Sequence, residues 1–152
     1  MTNIGQSYLR WHESFVTKLK EFQFKFIHKI VVTKRELFKY GIKTDDESCF
    51  CEENDSINHT FIHCSFTKSF IQQVIWWFNE TYNSHISPTV KKILFGIISN
   101  SNEKSTINKF SYITLFMHYF IHSCKLNNKP SDLLDFVNAV QQRNLIENNV
   151  NN

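Results

Sequence analysis

The scarcity of glycine and proline leaves few folds open to this chain. Its 152 residues include only three glycines and two prolines, roughly a quarter of the average share. Because β-sandwiches and barrels need frequent tight turns, a many-stranded β fold is disfavoured. Neither glycine-rich phosphate-loop motif can be written with Gly5, Gly41 and Gly96. Since 41% of the residues are hydrophobic, the composition predicts one packed, largely helical domain.

Apolar spacing and helix-end signals define the first two predicted helices. The first should span about 14 to 16 residues and be buried on more than one side. Its main stripe consists of Phe15, Leu19, Phe22, Phe26 and Ile30. Thr33 and Glu36 have the spacing of a capping box. Gly41 is then expected to end a second, two-turn helix as a left-handed cap.

Later segments carry helical signals of the same kind. Ser87 as N-cap, Pro88 as first helical residue and Gly96 as terminator predict a short helix. Longer stripes predict three more helices, around Phe66–Phe78, Ile107–Cys124 and Leu133–Val140. The predicted fold is therefore all-α, a small domain of about five or six helices in which the loop between the second and third carries clustered cysteines. Within it, residues 1–14 are expected to be a flexible N-terminal segment, 15–147 the helical domain and 148–152 a disordered tail.

The zinc prediction comes from the spacing of three cysteines and a histidine. Cys49, Cys51, His59 and Cys64 form the pattern C-x-C-x7-H-x4-C. Three thiolates and an imidazole suit the tetrahedral coordination of zinc. A ligand pair separated by one residue is a poorer chelate than C-x-x-C, because alternate side chains of an extended chain point apart. His63, beside Cys64, is the alternative ligand if Cys49 or Cys51 does not reach the ion.

Other interpretations of these side chains remain open at this stage. The clustered cysteines could be ordinary thiols of a helical protein without a metal. Cys124 stands alone in an apolar helix and is interpreted as a core residue. His118 and His122 lie one turn apart without a thiol or carboxylate at helical spacing, so they are interpreted as ordinary helix residues.

The net charge of +3 hides a strong asymmetry. Residues 18–43 contain eight lysines and arginines against two glutamates, whereas residues 44–64 contain six acidic residues and no lysine or arginine. The basic block could contact phosphates or could form a solvated helix face. The candidate phosphate-binding residues are Lys18, Lys25, Lys29, Lys34, Arg35 and Lys39.

Several segments together resemble a known family. Lys20–Ile30 and Thr33–Gly41 resemble the region before the zinc site in reverse transcriptases of non-LTR retrotransposons, the long interspersed elements. Ile57–Cys64 matches that family's I-x-H-x-F-x-x-C motif. Trp76–Asn79 with Ile93–Gly96 resembles its W-x-x-x-N and I-L-x-G stretch. Tyr119–Ile121 with Lys125–Pro130 resembles its closing helix and proline. The resemblance spans roughly Lys18 to Val140.

The resemblance implies the zinc-binding C-terminal module of such an element, without its polymerase. The family's cysteine pair is usually C-x-x-C, and here it is one residue shorter. Asp45 and Asp46 lack the flanking aromatic residue and strands of the polymerase motif that binds magnesium. The chain is therefore expected not to be an enzyme. The family role would be to grip template RNA or target DNA beside a reverse transcriptase polymerase domain.

A second expected function is a structural or protein-interaction domain without nucleic-acid binding of its own. Its basis is the aromatic content, since Phe24, Trp76, Trp77 and Phe116 do not fit easily into one small core. The first ten residues carry no apolar secretion signal. An intracellular location, nuclear or cytoplasmic and without membrane attachment, is therefore expected.

Overall fold

The computed structural model describes residues 15, 17–46, 51–87, 89–95 and 104–150, and these contain helices and turns but no β-strand. The all-α prediction is therefore confirmed. Helix α1 covers residues 17–27, and a π-helix, His59–His63, directly precedes α3. The other helices are α2 (Lys34–Lys39), α3 (Ser65–Tyr82), α4 (Val90–Phe95), α5 (Lys104–Leu126) and α6 (Leu133–Val150). Among the described helices, none has the length and hydropathy needed to cross a membrane.

The chain divides into two compact units. The first comprises Met1–Val31 and Leu134–Asn152, and the second comprises Val32–Leu133. The predicted N-terminal segment, residues 1–14, lies outside the described residues. The domain limits drawn from the sequence stay a prediction.

In the first unit, burial follows one stripe of α1. Leu19 and Phe22 are buried, whereas Phe24 and Ile27 are more than half exposed. The prediction that α1 is buried on more than one side is therefore wrong. On α6 the predicted apolar positions Phe136 and Val140 are buried. The first unit also contains a cation–π contact, in which the Arg143 guanidinium lies over the Phe15 ring, 3.2 Å from its centroid.

Helix α1 ends earlier than its apolar stripe suggested. Lys29 takes the left-handed conformation, with φ of 57°, and the Ile30 N–H donates to the Lys25 carbonyl at 2.8 Å. This 6→1 bond is the closing bond of a Schellman motif. Ile30 consequently lies beyond the helix and is exposed. A stripe of apolar residues does not show where the backbone leaves the helix.

The predicted signals at both ends of α2 are confirmed. A capping box joins Thr33 and Glu36, in which the Thr33 N–H donates to the Glu36 carboxylate at 3.2 Å. Gly41 has φ of +71°, and the Ile42 N–H donates to the Leu37 carbonyl at 2.9 Å. Glycine favours this conformation because it has no Cβ atom.

The second unit is built on α3, which packs against the π-helix and α5. Phe78 of α3 is fully buried, and its ring meets Phe110 of α5 edge to face, with 5.3 Å between centroids. The buried arc of α3 is centred on Val74 and includes Ile71 and Ile75. Phe66, the first residue of the predicted apolar stripe, lies at the edge of this arc and is 56% exposed.

Helix α4 begins two residues later than predicted. The Thr89 hydroxyl accepts the Lys92 N–H at 3.3 Å, and the Thr89 carbonyl accepts the Ile93 N–H at 2.9 Å. Thr89 therefore caps the helix in place of Ser87. Pro88 and Gly96, the other two predicted signals, lie outside the described residues. Helix α5 contains the whole predicted stripe from Ile107 to Cys124.

Candidate metal centre

A π-helix brings His59 and Cys64 together. His59 is its first residue, and Cys64 follows its last and serves as the N-cap of α3. The Cys64 N–H donates to the His59 carbonyl at 2.9 Å, the i→i+5 bond of a π-turn. Before the turn, the Ser56 hydroxyl accepts the His59 N–H at 3.2 Å and fixes its start. Five-residue spacing thereby places an imidazole and a thiol on adjacent turns.

Cys51 reaches the same point from the loop before the turn. Its Sγ atom lies 2.9 Å from His59 Nε2 and 3.8 Å from Cys64 Sγ. One donor atom from each of Cys51, His59 and Cys64 lies within 4.8 Å of the other two. Cys64 and His59 are buried and Cys51 is partly so. The structure therefore brings three of the four predicted ligands together, and Cys49 lies outside the described residues.

The sulfur–sulfur distance and the donor types fit a tetrahedral ion. Two zinc–sulfur bonds of about 2.3 Å at a tetrahedral angle place the sulfurs about 3.8 Å apart, as Cys51 and Cys64 are. The 2.9 Å from Cys51 Sγ to His59 Nε2 is shorter than the sulfur–nitrogen distance of about 3.6 Å in a tetrahedral zinc site. Both sulfurs and the imidazole are donors that Zn²⁺ prefers, and Ca²⁺ and Mg²⁺ prefer oxygen. His63, the predicted alternative ligand, is exposed and is not among the three converging residues.

Glu53 orients the His59 ring. Its carboxylate lies 3.1 Å from Nδ1, while the opposite nitrogen, Nε2, faces Cys51. A carboxylate at Nδ1 favours the tautomer that carries its proton there, which leaves the Nε2 lone pair as the donor. The sequence indicated Glu53 only as part of the acidic block, because any of six acidic residues there could have taken this role.

A buried ion pair between Asp55 and Lys125 lies next to Cys64. Asp55 Oδ1 accepts the Thr60 hydroxyl at 2.7 Å and lies 3.6 Å from Lys125 Nζ. The same ammonium lies 3.6 Å from Cys64 Sγ. Lys125 belongs to the last turn of α5, and Cys64 is 61 residues away in the sequence. Sequence reasoning missed this contact, since neither spacing nor periodicity relates the two positions.

The pKa of the Cys64 thiol lies below its usual value of 9.0. Burial of the side chain raises this pKa. Hydrogen bonds from the backbone N–H and the hydroxyl of Thr67 lower it, and the positive charge of Lys125 lowers it further. The lowering contributions outweigh the burial, so the surroundings favour the thiolate, which is the form that binds metals.

The six candidate phosphate-binding residues are divided between the two units. Lys18, Lys25 and Lys29 belong to the first, where Lys18 and Lys29 are exposed. Lys25 is partly exposed and forms a 2.5 Å ion pair with Glu21 one turn earlier. In the second unit Lys39 is exposed and Arg35 is half-buried.

Lys34, the sixth candidate, pairs with a carboxylate within the second unit. Its side chain is 11% exposed, and its ammonium lies 2.8 Å from Asp45 Oδ1. A lysine that is buried and paired with a carboxylate would have to break this pair to bind phosphate. The pair spans the basic and acidic blocks, and the sequence showed only that both blocks exist. Asp45, one of the two adjacent aspartates compared with the polymerase motif, is occupied by this contact.

Comparison with known proteins adds one finding. Residues 3–70 match the family described as zinc-binding in reverse transcriptase. This range contains all four predicted ligands and ends within α3, and it covers less than half of the chain. No curated protein and no solved structure matches the sequence.

Proposed function

We propose that the chain is a non-catalytic zinc-binding module of the retrotransposon reverse-transcriptase type, of the non-LTR class, which grips RNA or DNA through exposed basic side chains. The observation that carries the proposal is the convergence of Cys51, His59 and Cys64 within the segment similar to the reverse-transcriptase zinc-binding family. Cys49 is the proposed fourth ligand. Zinc bound there would serve as a structural cross-link rather than as a reaction centre.

The residues around the site would hold the ion and its ligands in place. Glu53 orients His59, and the π-turn fixes the distance between His59 and Cys64. Four protein ligands close the coordination shell and leave no position for a reactive water. A closed shell of this kind supports a binding function in which the metal fixes the loop between α2 and α3.

Exposed basic and aromatic side chains support nucleic-acid binding. Lys18 and Lys25 lie two turns apart on one face of α1, and Lys29 follows at its end. In the second unit, Lys39 lies between the exposed residues Phe38 and Tyr40. Lysines bind phosphates without reading sequence, and exposed aromatic rings stack on unpaired bases.

Salt dependence of binding tests the nucleic-acid part of the proposal. Filter binding of labelled RNA and DNA is measured at rising salt for wild type and for the variant K18Q/K29Q/R35Q/K39Q. Each lost phosphate contact should reduce the slope of log K against log salt by about 0.7 to 0.9. The matched control changes three exposed lysines outside the basic block, in K68Q/K91Q/K129Q, and should bind like wild type. Absence of wild-type binding at low salt would overturn nucleic-acid recognition.

Metal analysis tests the zinc part separately. Wild type should purify with about one zinc per chain, and His59→Ala should lose most of it. Equal zinc content in the two proteins would remove His59 from the site.

A protein-interaction role is the second candidate. Phe24 is 58% exposed and Trp76 is 62% exposed, one in each unit. Phe116, another of the aromatic residues that were expected not to fit easily into one small core, is buried. Side chains as large as Phe24 and Trp76 are found more often at interfaces than on free surfaces, and a reverse transcriptase polymerase domain is the proposed partner. Stable association of the chain with such a domain, abolished by Trp76→Ala, would support this role.

A further inference from the structure

We infer that Lys125 is a positioning residue of the candidate metal centre, which holds the Cys64 sulfur in place by binding both that sulfur and the Asp55 carboxylate. The inference rests on the metal-binding part of the proposed function. The lysine Nζ atom lies 3.6 Å from Cys64 Sγ and 3.6 Å from Asp55 Oδ1. Lys125 lies outside the C-x-C-x7-H-x4-C pattern of candidate ligands.

The ammonium is buried together with both of its partners. Lys125 is 5% exposed and Asp55 2% exposed, and Cys64 is completely buried. A charged side chain in such a place is costly unless it is paired, and lysine is rarely buried otherwise. The carboxylate offsets the positive charge, and the sulfur accepts a second N–H.

Asp55 is itself fixed on two sides. Its carboxylate accepts the Thr60 hydroxyl at 2.7 Å, which ties it to the π-helix. Its backbone N–H donates to the Asp46 carbonyl at 2.8 Å, which ties it to the start of the acidic loop. The carboxylate that pairs with the ammonium is therefore held in place by two contacts. The last turn of α5, which contains Lys125, places the ammonium beside the sulfur.

The arrangement has a consequence for the metal ligands. A sulfur that binds a metal keeps lone pairs that can accept hydrogen bonds, and the Lys125 ammonium is placed to donate one to the Cys64 sulfur. Outer partners of this kind change metal affinity by about 10- to 100-fold when they are removed. A change in the electronic state of the Cys64 sulfur distinguishes a positioning role of Lys125 from a role in packing α5, because packing alone would not alter that state.

Cobalt provides the readout, because Co²⁺ occupies the same kinds of site and its thiolate complexes absorb in the near ultraviolet. The full chain is titrated with Co²⁺ against a chelator as wild type, Lys125→Met, Lys125→Gln and Lys125→Arg. Lys129→Met is the matched control, since Lys129 is an exposed lysine just beyond α5. Circular dichroism of each variant shows whether it is folded.

Lys125→Met is expected to bind Co²⁺ about 10- to 100-fold more weakly and to shift the thiolate-to-cobalt band to lower energy. Lys125→Arg should restore most of the affinity and the band position, and Lys129→Met should match wild type. If Lys125→Met does not fold, Lys125→Gln decides, because its side chain carries no charge and ends one bond short of the position of the lysine Nζ.

Two results would overturn the inference in different ways. An affinity and a band equal to those of wild type in the folded neutral variants would overturn it and leave the metal site intact. A wild-type chain without any thiolate-to-cobalt band would overturn the proposed metal binding and this inference with it. Loss of nucleic-acid binding alone would bear on neither.

Discussion

The sulfur of Cys51 lies 2.9 Å from Nε2 of His59, eight positions further along the chain. The loop between them carries Glu53, which contacts the other ring nitrogen, and Asp55, which reaches Lys125. A single short loop thus supplies a thiol, the carboxylate that orients the imidazole and the carboxylate that anchors the buried lysine. Its acidic composition reflects these contacts as well as solvation.

Replacing Cys51 should remove metal, whereas replacing Cys124 should not. Cys51→Ser deletes a converging donor, and Cys124→Ser changes a buried cysteine of α5 that is not among the three converging residues. Zinc per chain, measured after dialysis against a weak chelator, should fall sharply only in Cys51→Ser. Equal zinc loss in both variants would indicate that general destabilisation, rather than ligand removal, releases the ion.

Phe78→Ala should strongly destabilise the second unit. The side chain is completely buried and contacts the rings of Phe110 and Tyr82. Phenylalanine-to-alanine changes at such sites cost about 3 to 5 kcal/mol, from lost burial and the cavity left behind. Urea unfolding measures the change. Trp76→Ala, on the exposed side of the same helix, should alter the free energy of unfolding by no more than about 0.5 kcal/mol, and a loss as large as that of Phe78→Ala would contradict the assigned burial.

Asn79 should hold the turn that follows α3. Its carboxamide oxygen accepts the Ile86 N–H at 3.0 Å and the Ser84 hydroxyl at 2.8 Å, and its amide donates to the Ile86 carbonyl at 3.0 Å. Asn79→Ala should cost about 1 to 3 kcal/mol and accelerate amide hydrogen exchange at Ile86. Asn79→Asp keeps both acceptor contacts and should lose less. Gln73→Ala, which removes one exposed side-chain bond to Ser69, is the control and should leave exchange at Ile86 unchanged.

His118 should make stability fall in mild acid. Burial lowers its pKa from 6.5 to about 4, against a hydrogen bond with the Thr114 backbone that raises it. Between these values the unfolded chain binds a proton that the folded chain does not, so the free energy of unfolding decreases as the pH falls from 6.5 towards 4. The full effect is about 3 kcal/mol at the lower end.

His118→Gln should show a flatter pH dependence than wild type over that range. Urea midpoints at several pH values between 7 and 4 measure the difference between the two proteins. Because both share every other titratable group, the difference reports His118 itself. Parallel profiles would mean that this histidine does not titrate as its burial requires.

The helical elements could be predicted where the signals are local. The capping box at Thr33 and the left-handed cap at Gly41 are confirmed, because each depends on contacts within one or two turns. Helix α5 was evident from its stripe for the same reason. The predicted cap of α4 is Ser87, whereas the structure uses Thr89. Both residue types can cap a helix, so the sequence does not distinguish them.

The ends of α1, α3 and α5 lack a glycine, which is the residue that predicts a helix end from the sequence. Lys29, Asn83 and Asn128 take left-handed conformations at or just beyond the ends of α1, α3 and α5. Asparagine tolerates this conformation better than most residues, whereas a lysine gives no such indication. In a chain with three glycines, most helix ends must be made without one. The scarcity of glycine that pointed to a helical fold also obscured where its helices stop.

Helical periodicity and the C-x-C-x7-H-x4-C spacing are local properties of the chain, so the all-α class and the segments that carry the donors can be predicted from the sequence. Which charges meet depends on the packing of elements that are distant along the chain. The tertiary structure paired Lys34 with Asp45 and placed Lys125 beside Cys64, 61 residues away. The sequence does not show which charged side chains form pairs, because any exposed charge can be solvated by water and only packing buries some of them. A buried charge then requires a specific partner, which the fold brings from another part of the chain.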